Sequence, residues 1–139
     1  HIAFTEQNPL KLGKTIESLH KNEEFPKFEK MEFSCSKNKD FIDYVKKYNF
    51  RNIIVCGIES HICILQTSIE LLEKGYNVLI PRDAIGSRQE IDNVTAFLRL
   101  TLSGAIPTTT ESLICELCKT SGRKEFRDVS KILKNTFSD

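Results

Sequence analysis

"RNIIVCGIESHICILQTSIELLEKGYNVLIP", residues 51–81, decides the fold. Its run from Asn52 to Gly57 is continuous and rich in β-branched residues, the pattern of a strand buried on both faces as in a parallel sheet. A turn-like GIES stretch follows, and then an apolar helix from about Ile62 to Lys74. Gly75, a usual C-terminal cap residue, stops that helix. "YNVLIP", Tyr76–Pro81, is a second buried strand. Strand, helix and strand at this spacing predict a βαβ unit with a crossover onto a parallel sheet.

The pattern extends in both directions. Downstream, Gln89 to Ser103 reads as a helix stopped by Gly104, "AIPTTT" as a short strand, "ESLICELCK" as a helix and Glu125 to Lys134 as a terminal helix. Upstream, "IAFTE" (Ile2–Glu6) reads as the end of a strand bounded by "QNP". "KLGKTIESLHKN" is loop with a single helical turn, and "KFEKMEF" (Lys27–Phe33) alternates as a short strand. From Asn38 to Tyr48, apolar Phe41, Ile42, Val45 and Tyr48 recur at helical spacing. The charged stretch Lys21–Lys30 reads as a mobile loop. One α/β domain over residues 1–139 is expected, with helices on both faces of a mainly parallel sheet.

Composition narrows the function classes. With 139 residues, 40% of them hydrophobic and 28% charged, the chain can bury one core beneath an ordinary surface. Twenty basic residues against 19 acidic give a formal +1, without the footprint of a nucleic-acid binder. No apolar run approaches the ~20 residues that cross a bilayer. The five cysteines are odd in number and irregular in spacing, which fits reduced thiols in a cytoplasmic protein better than a disulfide framework. Cys115 and Cys118 form a C-x-x-C, but it lies inside a helical pattern, and no second ligand pair accompanies it.

Among the cysteines, position favours Cys63. Sites on open parallel sheets gather at the carboxyl ends of strands. Residues 57–62 are one such strand-to-helix loop, and Cys63 follows at the start of the helix. Free backbone N–H groups and the helix dipole there stabilise negative charge and favour a thiolate. Cys56, inside the strand, reads as inert packing.

These residues carry a resemblance. "VCGIESHICILQTSIELLEKGYNVLIPRDAIGSR", with "TEQNPLKLGKT" and "EKMEFSC" upstream and "SGAIPTTTES" downstream, resembles the isochorismatase-like cysteine hydrolases, in particular the isochorismatase domain-containing branch. The likeness covers nearly the whole chain. It implies a three-layer α/β/α fold with Cys63 as nucleophile and Lys30 of "FEKMEF" as catalytic lysine. A nearby ammonium favours a thiolate and can polarise a bound carbonyl. The resemblance further implies an oxyanion hole formed by the backbone N–H groups of Glu59 and Cys63, with a cis peptide at Ile58–Glu59. It also implies a homodimer or larger homo-oligomer.

The chain departs from the family pattern in two places. The third catalytic residue, an aspartate in a D-x-Q-like motif on the first strand, is not found. "HIAFTEQ" matches the family's second strand, and Asp40, Asp43 and Asp83 stand in no such motif. The N-terminal strand is therefore expected to be missing from the chain, with the aspartate upstream of His1 in a segment of about fifty residues, the size of a βαβ unit. Secondly, the Asp/His/His metal set of nicotinamidase relatives has no counterpart among His1, His20 and His61. No catalytic metal and no cofactor are expected. His61 reads as bonding a loop carbonyl, with a proton relay or a subunit contact as the alternatives, and Thr67 as bonding back to a carbonyl and packing against the sheet. Arg82 and Asp83 read as a buried ion pair or interface contact, and Arg88 as a subunit contact or helix cap.

The expected function is hydrolysis of a small molecule, with a C–N amide bond cleaved through a thioester on Cys63. Cleavage of isochorismate itself is less expected, because some relatives of that name lack a nucleophilic cysteine. The alternative is a non-catalytic oligomeric interaction protein that retains the hydrolase fold. Neither nucleic acid nor membrane is an expected partner.

Overall fold

The computed structural model describes residues 1–19 and 25–137. His20 and the first residues of the charged stretch, Lys21–Glu24, lie outside the described residues. The described chain is a three-layer α/β/α fold whose strand pairs are all parallel. Strands β1 (Phe4–Gln7) and β2 (Lys27–Lys30) pair with each other, with a short helix α1 (Pro9–Leu12) between them in sequence. Helix α2 (Lys39–Lys47) leads to β3 (Asn52–Ile54) and β4 (Gly57–Ile58). Next come α3 (Leu65–Glu73), β5 (Asn77–Pro81), β6 (Ile85–Gly86), α4 (Glu90–Leu102), β7 (Ile106–Thr108), α5 (Thr110–Cys118) and α6 (Phe126–Phe137).

The central strand is β5, held between β3 and β7. Its Val78 and Ile80 are fully buried, together with Leu71 of α3 and Leu100 of α4. Both helices end where the sequence placed glycine. Gly75 and Gly104 take φ of +86° and +98°, and Tyr76 N–H and Ala105 N–H return to Leu71 and Leu100 carbonyls. This left-handed exit satisfies carbonyls that the helix end would otherwise orphan. Helix α2 is capped by the Asn38 side chain, which accepts from Phe41 N–H. No helix among the described residues is long and apolar enough to cross a membrane.

One expectation is corrected. Residues 52–57 do not form one strand buried on both faces. The run breaks at Val55–Cys56, and Gly57, with φ of +114°, turns the chain into β4, which pairs with β6 instead of β5. Ile54 is 44% exposed and Cys56 is exposed, so the latter is not packed core. Its thiol still lies close enough to the protein mass for desolvation to raise its pKa. The cause of the exposure is local. Among the described residues β3 pairs only with β5 and β1 only with β2, and a cavity of ≈ 270 Å³ separates the two groups. Thr5, Cys35, Val45 and Val55 are among its lining.

Leu71 makes the packing measurable. Leu71→Ala is expected to lower stability by about 2–5 kcal/mol, the range for emptying a fully buried leucine site. Urea denaturation should show an earlier midpoint with an unchanged slope.

Candidate active site

The pairing of β1 with β2 sets Gln7 opposite Lys30 at the carboxyl ends of both strands. Lys30 is 6% exposed, so its ammonium needs partners from the protein. It donates to Gln7 Oε1 at 2.6 Å, Phe33 O at 2.9 Å and Glu32 O at 3.1 Å. Three donor hydrogens thus meet three neutral oxygens. The Cys63 sulfur lies 3.7 Å from the same nitrogen and 3.9 Å from Gln7 Oε1. The structure therefore brings together two of the expected residues, Cys63 and Lys30, and adds Gln7.

The Cys63 loop is built differently from a plain helix start. The Ile58–Glu59 peptide is cis. Helical winding begins at Ser60, earlier than the sequence pattern indicates, with a wide π turn over Ser60–Ile64. Glu59 O accepts from both Ile62 N–H and Ile64 N–H, so Cys63 lies in the first turn of the run that continues as α3. Such turns recur at functional sites because they re-aim one side chain. Cys63 is half-buried, whereas Cys35 and Cys118 are buried and Cys56 and Cys115 exposed. All five are free, and Cys115 and Cys118 share helix α5.

Two sets of contacts hold this loop in place. On one side, the segment after Lys30 is fastened to α3. Thr67 Oγ1 accepts from Cys35 N–H at 2.9 Å, and Ser34 Oγ donates to Glu70 Oε2 at 3.0 Å. Thr67 therefore receives a distant amide and does not bond back within its helix. On the other side, the loop is tied to residues 87–93. Arg88 N–H donates to Glu59 Oε2 at 2.9 Å, and the fully buried Ser60 donates to Asn93 Oδ1 at 3.0 Å.

His61 has side chains as its partners, where a loop carbonyl was expected. Its Nδ1 is 2.9 Å from Ser87 Oγ and 3.8 Å from Glu59 Oε2, and its Nε2 is 3.8 Å from Asp92 Oδ2. Arg82 and Asp83 do not pair with each other. Arg82 reaches Glu90 and lies over the Phe97 ring, while the Asp83 carboxylate accepts from Thr110 N–H at the start of α5. The Arg88 side chain stays largely exposed, with its Nε 3.7 Å from Glu59 Oε2. Among the described residues, no three His, Cys, Asp or Glu side chains gather as a metal site.

Glu6 steadies the strand end that carries Gln7. It is buried, and its Oε1 accepts from Thr15 Oγ1 at 2.7 Å and Thr15 N–H at 2.8 Å. Those two bonds, the side-chain one first, lower its pKa, with help from Lys27 and Lys14.

Residues 10–112 match the model of the isochorismatase domain. Isochorismatase family protein 1B of Dictyostelium discoideum is 38% identical over 144 residues, covering 99% of this chain and 69% of that protein. Isochorismatase domain-containing protein 2 of Xenopus laevis is 33% identical, covering 99% and 67%. A solved structure named as the MAR1 ribonuclease of Caenorhabditis elegans is 39% identical with a TM-score of 0.88, covering 97% of this chain and 70% of that one. The chain thus spans about two thirds of these relatives' length.

The Glu6 clamp gives an acid-dependent signal. A carboxylate whose folded pKa is depressed stabilises the fold above its unfolded pKa and loses that contribution as pH falls through the folded value. Protection of the Thr15 amide, taken relative to its intrinsic exchange rate at each pH, should fall as pH drops below the ordinary glutamate range. In Glu6→Gln, that acid-dependent step should vanish.

Proposed function

The chain belongs to the isochorismatase-like hydrolase family, and from that premise we propose that it is a cysteine hydrolase cleaving the C–N bond of a small amide. The observation that carries this reading is the Lys30 ammonium 3.7 Å from the Cys63 sulfur. An ammonium there would stabilise a sulfur anion and the negative charge of an approaching carbonyl.

The sulfur attacks the carbonyl carbon and the C=O electrons move onto oxygen. Collapse of the tetrahedral intermediate breaks the C–N bond, and the nitrogen leaves after taking a proton. Water then attacks the thioester, the C–S bond breaks, and a carboxylic acid and the thiol are released. The N–H groups of Glu59 and Cys63 are proposed as the oxyanion donors, each worth about 3 kcal/mol when fixed in place. The proton given up by the thiol when its sulfur attacks is the one returned to the leaving nitrogen.

A homodimer or larger assembly belongs to the same reading. Helix α4 carries exposed Ile91, Val94, Leu98 and Leu102 at spacings of three and four, an apolar stripe suited to a second copy.

The ribonuclease name of the C. elegans relative makes RNA cleavage the second reading. A formal charge of +1 offers that reading little phosphate affinity. A protein that only binds partners is the third.

One titration separates these readings. In the full chain, substoichiometric iodoacetamide near neutral pH should label Cys63 about ten-fold or more faster than exposed Cys56 and Cys115, as a poised thiolate would. Peptide mass spectrometry reads the result, and equal labelling would remove the hydrolase proposal. Lys30→Met should cut amidase kcat/KM by about 10²–10³, the usual loss for one fixed electrostatic group. Degradation of RNA that persists in Cys63→Ala would favour the second reading.

A further inference from the structure

We propose that Gln7 is a positioning residue of this site, and that its side-chain amide fixes the Lys30 ammonium as a stationary positive charge beside Cys63. The inference rests on the cysteine hydrolase reading and adds a residue and a division of labour to it.

Three observations support an amide at this position. Oε1 accepts from Lys30 Nζ at 2.6 Å, while Nε2 donates to Met31 O at 2.6 Å. The donor end is therefore committed to a carbonyl, which turns the acceptor end toward the ammonium. Glutamate could not donate to Met31 O, and a shorter or apolar side chain would lose one contact or both. Second, the parallel register sets Gln7 beside Lys30 without any loop rearrangement. Third, Glu6 alternates to the other face of β1 and is clamped there by Thr15, so the strand end is gripped from both sides.

The hydrogen-bond count defines the role of Lys30. Its three hydrogens are shared among Gln7 Oε1, Glu32 O and Phe33 O at 2.6–3.1 Å and, at the longer 3.7 Å, Cys63 Sγ. Neutral oxygens leave the charge uncancelled, and among the described residues Lys30 is the charged side chain in contact with Cys63. Donating a proton during turnover would break one of these bonds at a buried site, so the proton for the leaving group comes from elsewhere. Lys30 contributes field, and Gln7 holds that field at the sulfur.

The test measures the rate of Cys63 alkylation by iodoacetamide against pH in the full chain and in Gln7→Glu and Gln7→Met. Thermal melting of each variant runs in parallel. Gln7→Glu sets a carboxylate against the ammonium and near the sulfur. It should slow labelling at pH 7 at least about ten-fold and move the rate profile at least one unit toward alkaline pH, the scale of one close charge. Gln7→Met is similar in size and keeps the site uncharged. It should slow labelling several-fold with a smaller displacement of the profile.

Unchanged rates and profiles in both variants would overturn the role of Gln7. If one variant fails to fold, the other decides alone. The two proposals fail differently. Slow Cys63 labelling in the unmodified chain removes the hydrolase reading, whereas fast labelling that ignores Gln7 removes only this inference.

Discussion

A buried cation must be solvated by the protein that buries it, and the site is organised around meeting that demand for Lys30. Water cannot reach the ammonium freely, so oxygens of the chain replace it. Two come from the turn immediately after β2, at Glu32 and Phe33, and the third from the neighbouring strand. Only parallel pairing of β1 and β2 at the observed register supplies that third oxygen. A slip by one residue would turn Gln7 to the opposite face and leave the charge under-coordinated. The solvation requirement and the strand register therefore enforce each other.

The same economy links the cation to the thiol. Lys30 and Cys63 stand 33 positions apart, on different strand-to-helix connections. Their separation is controlled because the connection after Lys30 docks on α3, the helix that continues from the turn holding the cysteine. Thr67 and Glu70 on that helix receive Cys35 N–H and Ser34 Oγ. Both bonds lie within two helical turns of Cys63, so little intervening chain can absorb error. Glu59 and Ser60 are meanwhile held by Arg88 and Asn93, which approach from the opposite direction.

Much of this was legible in the sequence, for identifiable physical reasons. The strand at Asn77–Pro81 and the helix at Glu90–Leu102 follow from uninterrupted apolar patterning bounded by glycine. Cys63 was singled out by position alone, since strand-to-helix loops collect chemistry. Lys30 was not readable that way: Lys27, three residues earlier, is an equal candidate by local pattern, and only the family likeness separated them. Gln7 was missed although the signal existed, a polar residue with two-way hydrogen bonding at the last position of a strand. The break after Ile54 was hidden because Val55 and Cys56 continue the β-rich composition, and only the left-handed Gly57 betrays the change of partner. The partners of His61 come from Ser87 and Asp92, beyond the reach of any local rule.

The change of partner at Gly57 divides the mechanical duties of the chain. Central strand β5 is bonded on both edges and anchors the interior, whereas β4 rests on a two-residue ladder with β6. The loop that carries the thiol therefore takes its position from side-chain contacts, Glu59 with Arg88 N–H and Ser60 with Asn93, more than from the sheet ladder beneath it.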